Sequence, residues 1–152
     1  MSAAVPRVYL DANVFIAAFE SPGAHSDHAW WILDAVERGE IVGGTSEITL
    51  AEVLVKPLDV GAIDLAEGYQ KMISNGPKFE VVPVRRDILI EAARFRSRRR
   101  SLKLPDAVHL ASAMALSCSH MVSDDQKLPV VPDIAMLSVS PFTLNDIFSK
   151  RR

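Results

Sequence analysis

The chain predicts an α/β fold, a three-layer α/β/α sandwich around a central parallel sheet of four or five strands. Three observations carry that prediction. Short β-branched runs alternate with helical stretches along the whole sequence, as in strands joined by helical crossovers. The runs lack strict polar alternation, as expected of strands covered on both faces. At 152 residues the chain suits one domain, so residues 1–152 are read as a single unit with a core over about 6–149.

Taken in order, Arg7–Leu10 reads as the first strand, and Asp11 stands where a helix starting at Ala12 would take its N-cap. His25–Arg38 sets Ala29, Ile32, Leu33 and Val36 on one apolar stripe, with Gly39 at its end. Glu40–Gly43 is the second strand. Ser46–Lys56 reads as one helix closed by Pro57. Ile63–Ile73 carries a stripe through Ile63, Ala66, Gln70 and Ile73, and Asn75-Gly76-Pro77 terminates it. Phe79–Val84 is a strand, followed by a helix over Asp87–Arg98 with Ile88, Leu89, Ala92 and Phe95 inward. Pro105–Leu116 opens with proline at its first position and buries Ala107, Leu110, Ala111 and Met114. His120–Val122 and Ala135–Ser138 complete the strands, and Thr143–Lys150 is a short last helix before two arginines.

A composition of 49% hydrophobic and 24% charged residues describes an ordinary globular protein. Cys118 is the single cysteine, so no internal disulfide forms, and its apolar setting reads as a buried thiol. The first residues have neither a basic patch nor an apolar run, and no stretch reaches the roughly 18 apolar residues of a membrane span. A soluble cytoplasmic protein with no membrane association is expected. The net charge of −2 gives no support to phosphate-backbone binding and does not exclude it, because clustered acids that hold cations lower the formal count.

Four acids sit at the ends of predicted elements or near them. Asp11 follows the first strand, and Asp124-Asp125 follow the fourth. In open α/β sheets ligands bind beyond the carboxyl ends of strands, where strand order reverses. Carboxylates gathered there repel one another unless a cation or proton intervenes. Each acid also has an ordinary explanation: Asp11 as an N-cap, Asp125 as a turn residue, Asp106 as an anion at a helix N-terminus, and Glu52 as a solvated partner of Lys56. Their joint placement argues for more, and an oxygen-only donor set suits Mg²⁺ or Mn²⁺.

At these residues the chain resembles the PIN-domain family, and within it VapC-type toxin ribonucleases. The match lies in Val8-Tyr9-Leu10-Asp11-Ala12-Asn13-Val14, Ser46-Glu47-Ile48-Thr49-Leu50-Ala51-Glu52-Val53, Leu104-Pro105-Asp106-Ala107-Val108-His109-Leu110-Ala111-Ser112-Ala113 and Met121-Val122-Ser123-Asp124-Asp125. The resemblance implies a PIN-like fold and an acidic site of Asp11, Glu52, Asp106 and Asp125 that binds Mg²⁺ or Mn²⁺. It makes Asn13 and Ser123 supporting residues, and the spacing of its last motif selects Asp125 with Asp124 peripheral. It further implies metal-dependent hydrolysis of RNA, an antitoxin partner and a toxin role. The alternatives are a PIN-domain nuclease of RNA or DNA processing and a catalytically inert PIN-like binding module. A receiver- or phosphatase-like domain also gathers acids around Mg²⁺, but its mid-chain phosphoacceptor has no convincing equivalent here.

Arg94, Arg96, Arg98, Arg99, Arg100 and Lys103 form a basic run before Asp106. It serves either to steer RNA phosphates, through Arg98, Arg99, Arg100 and Lys103, or as a solvated helix end. Trp31 points away from the stripe of its helix, which suggests a partner surface such as a homodimer contact or an antitoxin segment. His25 and His28 have a zinc-like spacing without a third ligand, and His109 reads as a packed or hydrogen-bonded helix residue rather than a catalytic base.

Overall fold

The computed structural model describes residues 4–125 and 127–149. Its strands are β1 (Arg7–Leu10), β2 (Val42–Ser46), β3 (Phe79–Val82), β4 (His120–Val122) and β5 (Ala135–Leu137). Its helices are α1 (Ala12–Glu20), α2 (Ala24–Glu37), α3 (Ile48–Val53), α4 (Val55–Val60), α5 (Ile63–Met72), α6 (Arg86–Arg98), α7 (Leu104–Ala115) and α8 (Thr143–Ser149). The strands form one parallel sheet in the order β3-β2-β1-β4-β5. The chain builds outward from β1 to β3, then returns to the other side of β1 with β4. The strand order therefore reverses between β1 and β4.

Alternation along the strands builds two cores. Val8 and Leu10 of β1 face a cluster with Val14, Phe15, Ala29, Ile32, Tyr69 and Ile147, drawn from α1, α2, α5 and α8. Tyr9, between them, faces Ile88 and Ala92 of α6 and Ala107, Leu110 and Ala111 of α7. The period of two sends successive side chains to opposite faces, and both faces are apolar because helices cover both. This is the expected α/β/α sandwich, with five strands.

Several boundaries differ from the sequence reading. The second strand lies at Val42–Ser46 rather than Glu40–Gly43, and two of its residues are glycine. A Cβ on Gly43 would stand 2.8 Å from a Phe79 ring carbon and 3.0 Å from a Val36 methyl, and one on Gly44 would stand 2.8 Å from a Leu116 methyl. Glycine here permits close packing on both faces, a need that local propensity does not register. The helix expected over Ser46–Lys56 is two short helices that meet at Leu54. Pro57 lies in the first turn of α4, where its missing N–H and its ring prevent continuation from α3.

Pro105 occupies the second rather than the first position of α7. The stripe of α5 runs through Ala66, Tyr69 and Ile73, leaving Ile63 exposed. Leu89 and Met114 are also exposed, the first on the flank of α6 and the second near the end of α7. Lys150 and the two terminal arginines lie outside the described residues.

Trp30 is fixed by an Nε1–H donated to the Ala18 carbonyl at 2.8 Å and by packing on Phe19. Trp31 remains 47% exposed and stacks on His28. Among the described residues, no helix is long and apolar enough to cross a membrane.

Candidate active site

β1 and β4 are hydrogen-bonded neighbours, with Leu10 in register with Val122. The residues after them therefore emerge side by side at the reversal point, and the Asp11 N–H donates to the Val122 carbonyl at 3.2 Å. Helix α7 leads back to the start of β4, so its N-terminus, with Asp106, lies toward the same carboxyl edge of the sheet. Helix α3 begins just past the end of β2 and brings Glu52 to that edge. The topology alone thus gathers four residues separated by up to about a hundred positions.

Asp11 is buried, 6% exposed, and caps α1 by accepting the Asn13 backbone N–H at 3.0 Å. Asn13 supports this acid through its backbone, and its own side chain is exposed. Burial pushes the Asp11 carboxyl up to about 6, and the nearby Asp124 charge adds to the effect. The Ser123 hydroxyl, the His109 ring and the Asn13 N–H oppose it. Ser123 is itself buried and also accepts the Asp125 N–H at 3.1 Å. One hydroxyl thereby ties the first acid to the turn that carries the last.

Asp106, half-buried in the first turn of α7, is also held above the ordinary carboxylate range. Desolvation is the main cause, followed by the Asp125 charge, with Glu52 contributing in the same direction. His109 and Lys103 oppose the rise. Like charges raise a carboxyl pKa only when they are close, so Asp106, Asp125 and Glu52 share one electrostatic site.

The adjacent aspartates are distinguished by what they face. Asp124 accepts the Val139 N–H at 3.1 Å with one oxygen and meets His25 Nε2 at 3.3 Å with the other. It joins the loop after β4 to α2 and to the segment before α8. Asp125 accepts the Lys127 N–H at 2.9 Å and, with Ser123, Leu128, Met136, Leu137 and Ser138, lines a cavity of about 250 Å³. A cavity of about 620 Å³ lies elsewhere, between Trp30, Leu33, Met72 and Phe79, with none of the four acids in its wall.

Glu52 does not pair with Lys56. Lys56 instead reaches Glu20 at 3.2 Å, and Glu52 Oε1 lies 2.5 Å from His109 Nε2. His109 is the group the sequence reading passed over. It is hydrogen-bonded, as expected of it, but its partner is a site acid 57 residues away. The only local signal was its position three residues after Asp106, which sets both side chains on one face of α7.

Within the basic run, Arg94 pairs with Glu91 at 2.9 Å and Arg96 donates to the Leu102 carbonyl at 3.0 Å. These two serve the fold. Arg98, Arg99 and Arg100 are exposed where α6 passes into α7, and Lys103, also exposed, precedes α7 directly. Cys118 is buried and its thiol is pushed up to about 12 by desolvation, which makes it unreactive.

Among the described residues, no three His, Cys, Asp or Glu side chains form a ready metal-binding group. Glu52 is turned to His109, Asp125 to a loop amide and Asp124 to Val139 and His25. The donor chemistry nevertheless fits a hard divalent cation. The donors are carboxylate oxygens, and the repulsion from Asp125 and Glu52 that adds to the desolvation of Asp106 is what such an ion relieves.

The PIN domain family model matches residues 8–134, a span that includes all four acids. The chain belongs to the PIN-domain family. PIN domains are nucleases, which sets aside a receiver-like domain. Solved structures of other proteins share the fold at low identity. A toxin–antitoxin complex from Klebsiella pneumoniae is 22% identical with a TM-score of 0.64, covering 84% of this chain and 95% of that one. VapC20 from Mycobacterium tuberculosis, described as a sarcin–ricin loop cleaving toxin, is 17% identical with a TM-score of 0.66, covering 80% and 92%. VapBC2 from Rickettsia felis, bound to a promoter DNA fragment, is 16% identical with a TM-score of 0.62, covering 88% and 99%. A comparison with curated protein sequences finds no significant match.

Proposed function

We propose that this PIN domain is a metal-dependent endoribonuclease that hydrolyses RNA phosphodiester bonds, and that it is the toxin of a toxin–antitoxin pair. What supports the nuclease reading is the placement of Asp11, Glu52, Asp106 and Asp125 toward the edge where strand order reverses, with Asp106 raised by desolvation and by the Asp125 and Glu52 charges. The toxin reading draws support from structural neighbours that are themselves toxin–antitoxin proteins.

In this reading Asp11, Asp106 and Asp125 hold Mg²⁺ or Mn²⁺, and Glu52 is a further ligand or orients the attacking water. Bound there, the ion supplies a water activated for in-line attack and charge stabilisation for the departing 3′ oxygen. The rest is done by the chain. Ser123 holds Asp11 and the Asp125 backbone in one arrangement. Asn13 steadies the Asp11 carboxylate by donating its backbone N–H to it. Asp124 braces the loop beside Asp11 through Val139 and His25. Lys103, whose charge acts on Asp106, and the exposed Arg98, Arg99 and Arg100 shortly before it in the chain steer the anionic strand. A separate antitoxin chain and a second copy of this chain are the partners, with exposed Trp31 offered for one such contact. Cytoplasmic action accompanies an RNA substrate.

The test compares RNA cleavage by wild type and Asp11→Asn, with Mg²⁺ or Mn²⁺ and then with EDTA. Wild-type cleavage that requires the ion and is lost in the variant is expected. Cleavage in EDTA, or full activity in Asp11→Asn, removes the mechanism. A wild type that binds RNA without cutting it under all conditions makes the chain an inert binding module.

A further inference from the structure

The contact between Glu52 and His109 joins three elements that are distant in sequence. His109 lies on α7 and is 3% exposed. Its Nε2 is 2.5 Å from Glu52 Oε1 on α3, and its Nδ1 is 2.6 Å from the Tyr9 hydroxyl on β1. The Tyr9 ring, fully buried, meets the imidazole edge-on with centroids 5.7 Å apart. A carboxylate only accepts hydrogen bonds, so the proton between His109 and Glu52 sits on Nε2. The imidazole is thus gripped at both nitrogens, by the middle strand of the sheet on one side and by a site acid on the other. Desolvation holds the Tyr9 hydroxyl far above its ordinary value, so it stays a protonated, uncharged anchor.

Glu52 needs such a partner. Its side chain is a third exposed and carries several free torsions, and ordering it costs conformational entropy. Its near neighbour in sequence, Lys56, is engaged by Glu20. We propose that His109 is a positioning residue, braced by Tyr9, that holds the Glu52 carboxylate in place beside Asp106. The inference rests on the nuclease reading for its consequence, but the contact itself can be tested without it.

Five variants and three measurements test it: His109→Leu, His109→Gln, Tyr9→Phe, Glu52→Ala and the double variant of His109→Leu with Glu52→Ala, followed by RNA cleavage, Mn²⁺ affinity by calorimetry and NMR of the metal-free protein. Loss of a group that orients a metal-site residue lowers affinity or activity about 10–100-fold. His109→Leu should show that loss in kcat and in Mn²⁺ affinity with KM for RNA little changed. His109→Gln, whose amide can still donate to Glu52, should recover a large part. Tyr9→Phe should lie between wild type and His109→Leu. His109→Leu combined with Glu52→Ala should cost no more than Glu52→Ala alone, since both remove one interaction. In metal-free wild type, long-range ¹H–¹⁵N spectra should show a slowly exchanging Nε2 proton on His109 that shifts in Glu52→Ala.

Full kcat and Mn²⁺ affinity in His109→Leu, losses that multiply in the double variant, or an Nε2 without a proton would each overturn the proposal. If wild type cuts no RNA, the nuclease reading fails by itself. The Mn²⁺ and NMR measurements then still decide whether His109 holds Glu52.

Discussion

Replacing Asp11 by asparagine should abolish cleavage and yet make the metal-free fold more stable. The Asp11 carboxyl titrates near 6 in the fold, against an ordinary 3.8, chiefly because it is buried. A difference of about 2 units corresponds to about 3 kcal/mol at ~1.36 kcal/mol per unit. The sign follows from linkage. Between about pH 3.9 and 6 the folded chain holds the proton that the unfolded chain has released, so stability falls as pH rises through this window. The contribution is fully present below about 3.9 and lost above about 6. Asparagine never ionises, accepts the same Asn13 N–H and caps α1 equally well.

In EDTA at pH 7.5 Asp11→Asn should therefore exceed wild type by about 3 kcal/mol, or roughly 6–12 °C in Tm for a domain of this size. The gap should shrink to about 1 kcal/mol at pH 4.5 and close below about 3.9. Urea unfolding across that range measures it, and millimolar Mg²⁺ or Mn²⁺ should then raise wild type but not the variant. A variant equal to or less stable than metal-free wild type at pH 7.5 refutes the view of Asp11 as a desolvated charge kept for binding.

Four further outcomes are expected. Asp125→Asn should lower cleavage about 100-fold, equivalent to about 2.7 kcal/mol. Asp124→Ala should leave cleavage within about tenfold while costing about 1–3 kcal/mol of stability by stranding the Val139 N–H; the reverse pattern would exchange the roles of the two residues. Replacing Arg98, Arg99 and Arg100 by alanine should flatten the plot of log affinity for single-stranded RNA against log salt by about 2 units, and an unchanged slope would remove them from RNA steering. Gly43→Ala should destabilise by about 1–3 kcal/mol through overpacking against Phe79 and Val36, and chemical denaturation that shows no change would contradict the close packing at β2.

Much of this protein was legible in its linear order. β1 and β4 fall where the apolar runs predict them, because buried strands of a parallel sheet are β-branched and short. The ends of α2 and α6 agree with the sequence reading to within a residue, since glycine and charge patterns mark helix termini locally. Asp11, Asp106 and Asp125 stood out for the same reason, each beside an element boundary that the chain itself announces, whereas Glu52, in the middle of its expected helix, was singled out by the family resemblance.

Tertiary structure decided the rest. β2 was displaced in the reading because Gly43 and Gly44 carry no strand signal of their own, and their value lies in what Phe79, Val36 and Leu116 bring against them. Asp124 and Asp125 are chemically identical neighbours in the sequence, and they part only when the folded chain offers Val139 and His25 to one and the neighbourhood of Asp106 to the other. Glu52 has Lys56 four residues on in the sequence, yet its partner is His109. Local spacing describes which contacts a segment can make, but burial across the sheet sets which of them it makes, because a desolvated imidazole between Tyr9 and Glu52 gains more from a fixed hydrogen bond than an exposed lysine gains from a solvated ion pair.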